Sequence, residues 1–187
     1  MQVLIDYFNS LSPVSKDAAK AVSKLVQVVS LKKYSELQPI GHTCKTIYFL
    51  KKGVARIYYF KDDTDITESF SFENSIVVRY ESLFNGQPSR KAIQVLEDSD
   101  VVSINAPKFF QLFDAFPDLE KVFNAIIRQA LIDNICRLES IQFHSAEERY
   151  NALINEQPDV IKRVPLKYIA SFLGITPVSL SRIRASH

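Results

Sequence analysis

Val164-Pro165-Leu166-Lys167-Tyr168-Ile169-Ala170-Ser171-Phe172-Leu173-Gly174-Ile175-Thr176-Pro177-Val178-Ser179-Leu180-Ser181-Arg182-Ile183-Arg184 reads as two short helices around a tight turn. Ile169, Ala170 and Leu173 fall on one face of the first helix, and the small Ala170 lets the second helix approach closely. Gly174 can take the left-handed conformation that closes a helix, because it has no Cβ to clash. Thr176 is a side-chain cap for the second helix and Pro177 fits its first position, where the missing N–H costs nothing. Leu180 and Ile183 anchor that helix, which leaves Val178, Ser179, Ser181, Arg182 and Arg184 for its outer face.

Charge gives this helix-turn-helix pattern a partner. Residues 160–187 hold Lys162, Arg163, Lys167, Arg182 and Arg184 and no Asp or Glu, so this segment carries +5 while the other 159 residues carry −3. A positive field confined to one segment expects a polyanion. A merely solvated basic tail would not interleave its charges with Val164, Leu166, Ile169, Phe172, Leu173, Ile175, Leu180 and Ile183. The arrangement suits the major groove of double-stranded DNA, with the second helix presented to base edges. Arg182 is the candidate for a guanine contact, and Lys167, Arg184, Lys162 and Arg163 are candidates to neutralise phosphates. Thr176, Val178, Ser179 and Ser181 complete the candidate DNA-contact set.

Upstream of this segment the pattern changes twice. Ser12-Pro13 opens a predicted helix on which Val14, Ala18, Val22, Leu25, Val26 and Val29 share a face. From about residue 32 to 105, β-branched and aromatic runs alternate with turn residues. The clearest runs are 46–50, 54–60, 66–72, 92–96 and 101–104, with turns at Gly53 and Asp62-Asp63. Many short strands without helical crossovers predict an antiparallel sandwich or jelly roll and an α+β fold class. A helix is predicted over 106–116 and a longer one from Pro117 to about Phe143. The longer helix carries Leu119, Val122, Phe123, Ile126, Ala130, Ile135, Leu138 and Ile141, more apolar surface than one side of a small barrel covers. Val122, Phe123, Ile126, Ala130, Ile135 and Leu138 are therefore assigned to a homodimer seam. Ser145 and Glu148 form a capping box for a further short helix ending near Gln157, before Pro158. The expected domains are a sensor unit over 1–116, a dimerisation helix over 117–143 and a DNA-binding unit over 144–187.

The 187 residues, 47% apolar and 24% charged, suffice for one sizeable core with a small appended unit. No targeting segment or membrane span is read from the chain, and a reducing, cytoplasmic setting is expected. Cys44 and Cys136 are too few and too separate for a disulfide framework, a zinc site or an iron-sulfur cluster. The histidines at 42, 144 and 187 cannot supply a metal-binding cupin site, and no catalytic constellation stands out, so no enzyme, metal or catalytic residue is expected.

Together with the strand-rich region, the stretch Ile169 to Pro177 and Ser179 to Arg184 resembles the Crp/Fnr family of bacterial transcription regulators. Gly41 to Gly53 resembles an early hairpin of that family, and Phe72-Glu73-Asn74 through Leu96-Glu97-Asp98-Ser99 resembles its effector-pocket region. The resemblance implies a cyclic-nucleotide-binding-like jelly roll (double-stranded β-helix), a long dimerisation helix and a C-terminal reader of a palindromic promoter. RNA polymerase is implied as a partner of an activator, and an unknown small molecule as effector. Two departures alter what is carried over. The family's β-hairpin wing has few residues here to build it, so a minimal or absent wing is expected. Val178 replaces a common acidic residue early in the recognition helix, and could touch a thymine methyl where that residue would accept from cytosine.

The effector pocket departs as well. The family's pocket uses a Gly-Glu pair and a later Arg, whereas here Tyr80 precedes Glu81, and Ser89 falls where the Arg would lie, one place before Arg90. Arg79, Glu81, Ser82, Ser89 and Arg90 are the candidate effector residues, and cyclic nucleotide is disfavoured as a cofactor. With only His42 in the barrel region, haem sensing has little support. The rival reading is a dimeric ligand-binding or protein-binding module that has the same fold but does not read DNA sequence.

Overall fold

The computed structural model describes residues 1–185. His187 and the expected minimal wing lie outside the described residues. A helix absent from the sequence reading, α1 (Gln2–Leu11), opens the chain and buries Leu4 and Phe8. The next helix, α2 (Lys16–Ser23), begins later than Ser12-Pro13 predicts. Ser15 is its cap, accepting from the Ala18 N–H at 3.3 Å, while Ser12 is extended. The predicted helix also overran at its far end. Val26 and Val29 belong to β1 (Val26–Leu31), where Val29 pairs with Val101. Here β-branched residues beside an available strand outweigh a helical spacing.

Seven further strands follow: β2 (Glu36–Gln38), β3 (Thr46–Lys52), β4 (Ala55–Lys61), β5 (Thr64–Ser71), β6 (Ser75–Val77), β7 (Ala92–Val95) and β8 (Ser99–Asn105). They form two four-stranded antiparallel sheets of jelly-roll type, ordered β1-β8-β3-β6 and β2-β7-β4-β5. The β4–β5 hairpin turns at Asp62 and Asp63, which take φ of 47° and 62°, the left-handed geometry favoured in two-residue hairpin turns. Gly53 turns β3 into β4 at φ 109°, and a Cβ there would lie 2.0 Å from Ser99 Oγ. Only glycine fits.

Strand β3 is apolar on both faces, which explains its unbroken Ile47-Tyr48-Phe49-Leu50 run. Tyr48 and Leu50 join Val77, Ile93, Val95 and Val101 between the sheets. Ile47 and Phe49 face the other way, onto a core shared with α1, α2, α4 (Ala106–Phe110) and the first half of α5 (Pro117–Phe143). Beyond α5, α6 (Ala146–Glu156) starts at the Ser145–Glu148 capping box. It leads to α7 (Val160–Arg163), α8 (Leu166–Leu173) and α9 (Pro177–Ala185). These last helices share a third core with Val54 and Leu96 of the jelly roll. No described helix is long and apolar enough to cross a membrane.

Candidate nucleic-acid interface and candidate effector loop

Helices α8 and α9 form as their local chemistry dictates. Tyr168, Ile169, Ala170 and Leu173 are the buried face of α8, and Gly174 ends it at φ 70°, with the Ile175 N–H donating to the Ala170 carbonyl at 3.0 Å. Thr176 Oγ1 accepts the Ser179 N–H at 3.1 Å at the start of α9, and Leu180 is fully buried. The outer face of α9 is Val178, Ser181, Arg182 and Arg184, all exposed, with Ser179 half-buried. Two hydroxyls on this surface are already engaged: Ser179 Oγ lies 2.9 Å from Thr176 Oγ1, and Ser181 Oγ donates to the Pro177 carbonyl at 3.0 Å. Arg182 and Arg184 are therefore its leading polar groups. Lys167 is exposed on α8, its Nζ 4.8 Å from the Tyr168 ring.

Two basic residues expected at phosphates differ in their surroundings. Lys162 is exposed beside Asp159 at 3.2 Å. Arg163 is committed inside the protein instead, donating to Glu73 at 2.5 and 3.0 Å and to Glu97 at 2.6 Å. The Arg163 hydrogen bonds hold the Glu73 carboxyl well below its ordinary range, at about 2. Two carboxylates already satisfy this guanidinium, so it is not free for DNA.

The face of α8 away from solvent lies along β5, the edge strand of its sheet. The Thr67 N–H donates to Ser171 Oγ at 2.8 Å, and that hydroxyl donates to the Asp65 carbonyl at 3.1 Å. An unpaired strand edge is thus covered by a helix. Arg56, 2% exposed, stacks between the Tyr58 and Tyr168 rings at 4.1 and 3.7 Å and pairs with Asp65 at 2.5 and 2.7 Å. Arg137 and Arg149 donate to the Phe172 and Leu173 carbonyls, placing cations at the negative end of α8. Sequence reasoning missed this whole interface. A buried Arg in a strand reading Ala-Arg-Ile-Tyr-Tyr was the one available signal.

In the loop that carries the candidate effector residues, α3 (Tyr80–Asn85) follows β6. Ser82 Oγ donates to the Gln87 carbonyl at 2.5 Å and accepts the Cys44 N–H at 2.9 Å. Ser89 Oγ donates to the Lys91 carbonyl at 2.7 Å and accepts its N–H at 3.1 Å. Both serines brace the loop. Glu81 and Arg90 are exposed, whereas Arg79 is buried beside Glu68. Along α5, Val122, Phe123 and Ile126 lie in the chain's own core, Ala130 is half-buried, and Ile135 and Leu138 are exposed with Leu131, Ile132 and Ile141.

Residues 28–116 match the sequence model of the cyclic nucleotide-binding domain family. No curated protein matches the chain. Among solved structures, FixK2 from Bradyrhizobium japonicum superposes with a TM-score of 0.75 at 16% identity, over 86% of this chain and 83% of that one. A protein from Eubacterium rectale described as of the Crp/Fnr family gives 0.74 at 18% identity, over 95% and 85%. The c-di-GMP-responsive global regulator CLP from Xanthomonas campestris gives 0.70 at 14%, over 92% and 91%. The chain thus has the fold of the Crp/Fnr regulators, with a cyclic nucleotide-binding-type jelly roll ahead of a long helix and a C-terminal helical unit.

Proposed function

We propose that the chain is a DNA-binding transcription regulator of the Crp/Fnr type. In this reading it is a homodimer that sets two copies of α9 into successive major grooves of a palindromic site, about 34 Å apart. The observation that carries it is α9 itself: a capped helix anchored by Leu180 whose exposed face offers Val178, Arg182 and Arg184 and no acid. Arg182 reads a base, Arg184 and Lys167 hold phosphates, and Thr176, Ser179 and Ser181 line the approach. The apolar residues left exposed on the second half of α5 supply the dimer seam, so the seam lies from Leu131 to Ile141 and excludes Val122, Phe123 and Ile126. The jelly roll is the sensor, and cyclic AMP is not its signal, because Ser82 and Ser89 already brace the loop and Glu81 and Arg90 lie apart from Arg79 in solvent.

Fluorescence anisotropy on a bound duplex, titrated at several salt concentrations, tests the reader. Lys167→Ala is expected to weaken binding to every sequence alike and to lower the salt slope by about 1. Arg182→Ala is expected to cost roughly 1–3 kcal/mol on the preferred site and to relax its sequence preference. Equal effects of both variants on all duplexes would remove Arg182 from base reading.

A further inference from the structure

Val178, 62% exposed, is the one large apolar side chain left in solvent among the described residues of α6 to α9. An α-helix turns about 100° per residue, so Val178 and Arg182 each lie within about 20° of the direction opposite the fully buried Leu180. With the exposed Ala185 they form the stripe of α9 that points straight away from the protein. The hydroxyls beside this stripe are held within the helix: Ser181 Oγ donates to the Pro177 carbonyl at 3.0 Å, and Ser179 Oγ lies 2.9 Å from Thr176 Oγ1. Pro177–Ala185 contains no Asp, Glu, Asn or Gln. It therefore has no carboxylate to accept from the N4 amino group of cytosine and no amide to pair with adenine. Two base features remain within its chemistry. The O6 and N7 acceptors of guanine suit Arg182, and a methyl group on C5 of a pyrimidine suits Val178. Four residues of helix advance about 6 Å, less than two base-pair steps, which sets the methyl one or two steps from the guanine. Thymine carries that methyl, and so does 5-methylcytosine. The two differ at C4, carbonyl against amino, a difference that an alkyl side chain does not register.

We propose that α9 reads a 5-methylpyrimidine one or two steps from a guanine, taking thymine and 5-methylcytosine alike and disfavouring uracil and unmodified cytosine. The inference rests on α9 being the DNA reader, and it names the class of base that this surface selects. Val178 supplies the methyl contact and Arg182 the guanine contact from adjacent turns of one helix. A site with cytosine at the Val178 position is then occupied more fully when that cytosine carries the methyl group, so the covalent state of the DNA regulates binding.

The test uses the full-length protein and two random duplex libraries, one with ordinary cytosine and one with 5-methylcytosine in its place, followed by anisotropy on the enriched site. At every pyrimidine of that site thymine is compared with uracil, and 5-methylcytosine with cytosine, so the members of each pair differ by one methyl group alone. At one position wild type is expected to bind the methylated member of both pairs about fourfold more tightly, the scale of one buried methyl group. That position is expected within two steps of the guanine whose selection is lost in Arg182→Ala. Val178→Ala truncates an exposed side chain, and is expected to keep binding DNA while losing both preferences. The wild-type comparison does not depend on the folding of any variant. Equal binding within both pairs at every position would overturn the inference and leave α9 a DNA reader. So would a preference in the thymine pair alone, or a methyl preference that survives in Val178→Ala. Enrichment from neither library would remove the DNA reading, and the inference with it.

Discussion

Arg163 closes a three-residue clamp between α7 and the jelly roll, its guanidinium spanning Glu73 and Glu97 while Glu73 also accepts the Gly53 N–H at 2.8 Å. The clamp ties the turn between β3 and β4 to the helical unit. Its carboxylates are about one-third exposed, so solvent screens part of the attraction, and Arg163→Gln is expected to cost about 1 kcal/mol of stability. The pH dependence has a definite sign. Glu73 is depressed in the folded protein from 4.5 to about 2, so its contribution is complete above about pH 4.5 and disappears as the pH falls toward 2. Thermal unfolding of wild type and Arg163→Gln from pH 7 to pH 3 is therefore expected to show a gap that narrows below about pH 4.5. A gap independent of pH would assign the Arg163 contribution to packing. At this scale the caps were legible in sequence, because Ser145, Thr176 and Gly174 act on neighbours within four residues. The fate of Arg163 was not, since its partners lie 66 and 90 residues away.

At the scale of elements, α5 divides where its surroundings end. Leu119, Val122, Phe123 and Ile126 pack under α1 and α4, but from Leu131 onward the helix extends past the jelly-roll core with Leu131, Ile135 and Leu138 on one stripe and Ile132 and Ile141 beside it, each at least 47% exposed. Spacings of four and three residues along that stripe suit a helix pair. Periodicity alone assigns both halves to one seam, because the alternation of apolar residues is the same whether a chain covers its own helix or a second copy does. In the proposed dimer, Leu138→Asp is expected to yield folded monomer by light scattering, whereas Val122→Asp disrupts folding itself. A Leu138→Asp variant that stays dimeric would place the seam elsewhere. The strands with mixed β-branched and aromatic runs were readable, while β2 and β6, three residues each, are too short to carry a pattern.

At the scale of the whole molecule, β5 is a second place, beside the Arg163 clamp, where the helical unit meets the jelly roll. That strand contributes Asp65 and Thr67 to the Arg56 cluster, the Thr67 N–H and Asp65 carbonyl to Ser171, and Phe70 to Phe172 at 5.2 Å. The helical unit is therefore docked on the edge of the sheet that carries β5, and Arg137 from the second half of α5 reaches it as well, donating to the Phe172 carbonyl. The docking contacts run over a few side chains, none of which is adjacent in sequence to its partner. This explains why the components were legible separately and their assembly was not. The central claim is that α9 reads DNA as one of a symmetric pair. Selection of bound duplexes from a random DNA library, with wild type and Arg182→Ala side by side at two salt concentrations, tests it most directly. The account expects an inverted repeat with half-sites about one helical turn apart, bound less tightly as salt rises and lost in the variant. Enrichment of no sequence, or of the same sequence by both proteins, would contradict it.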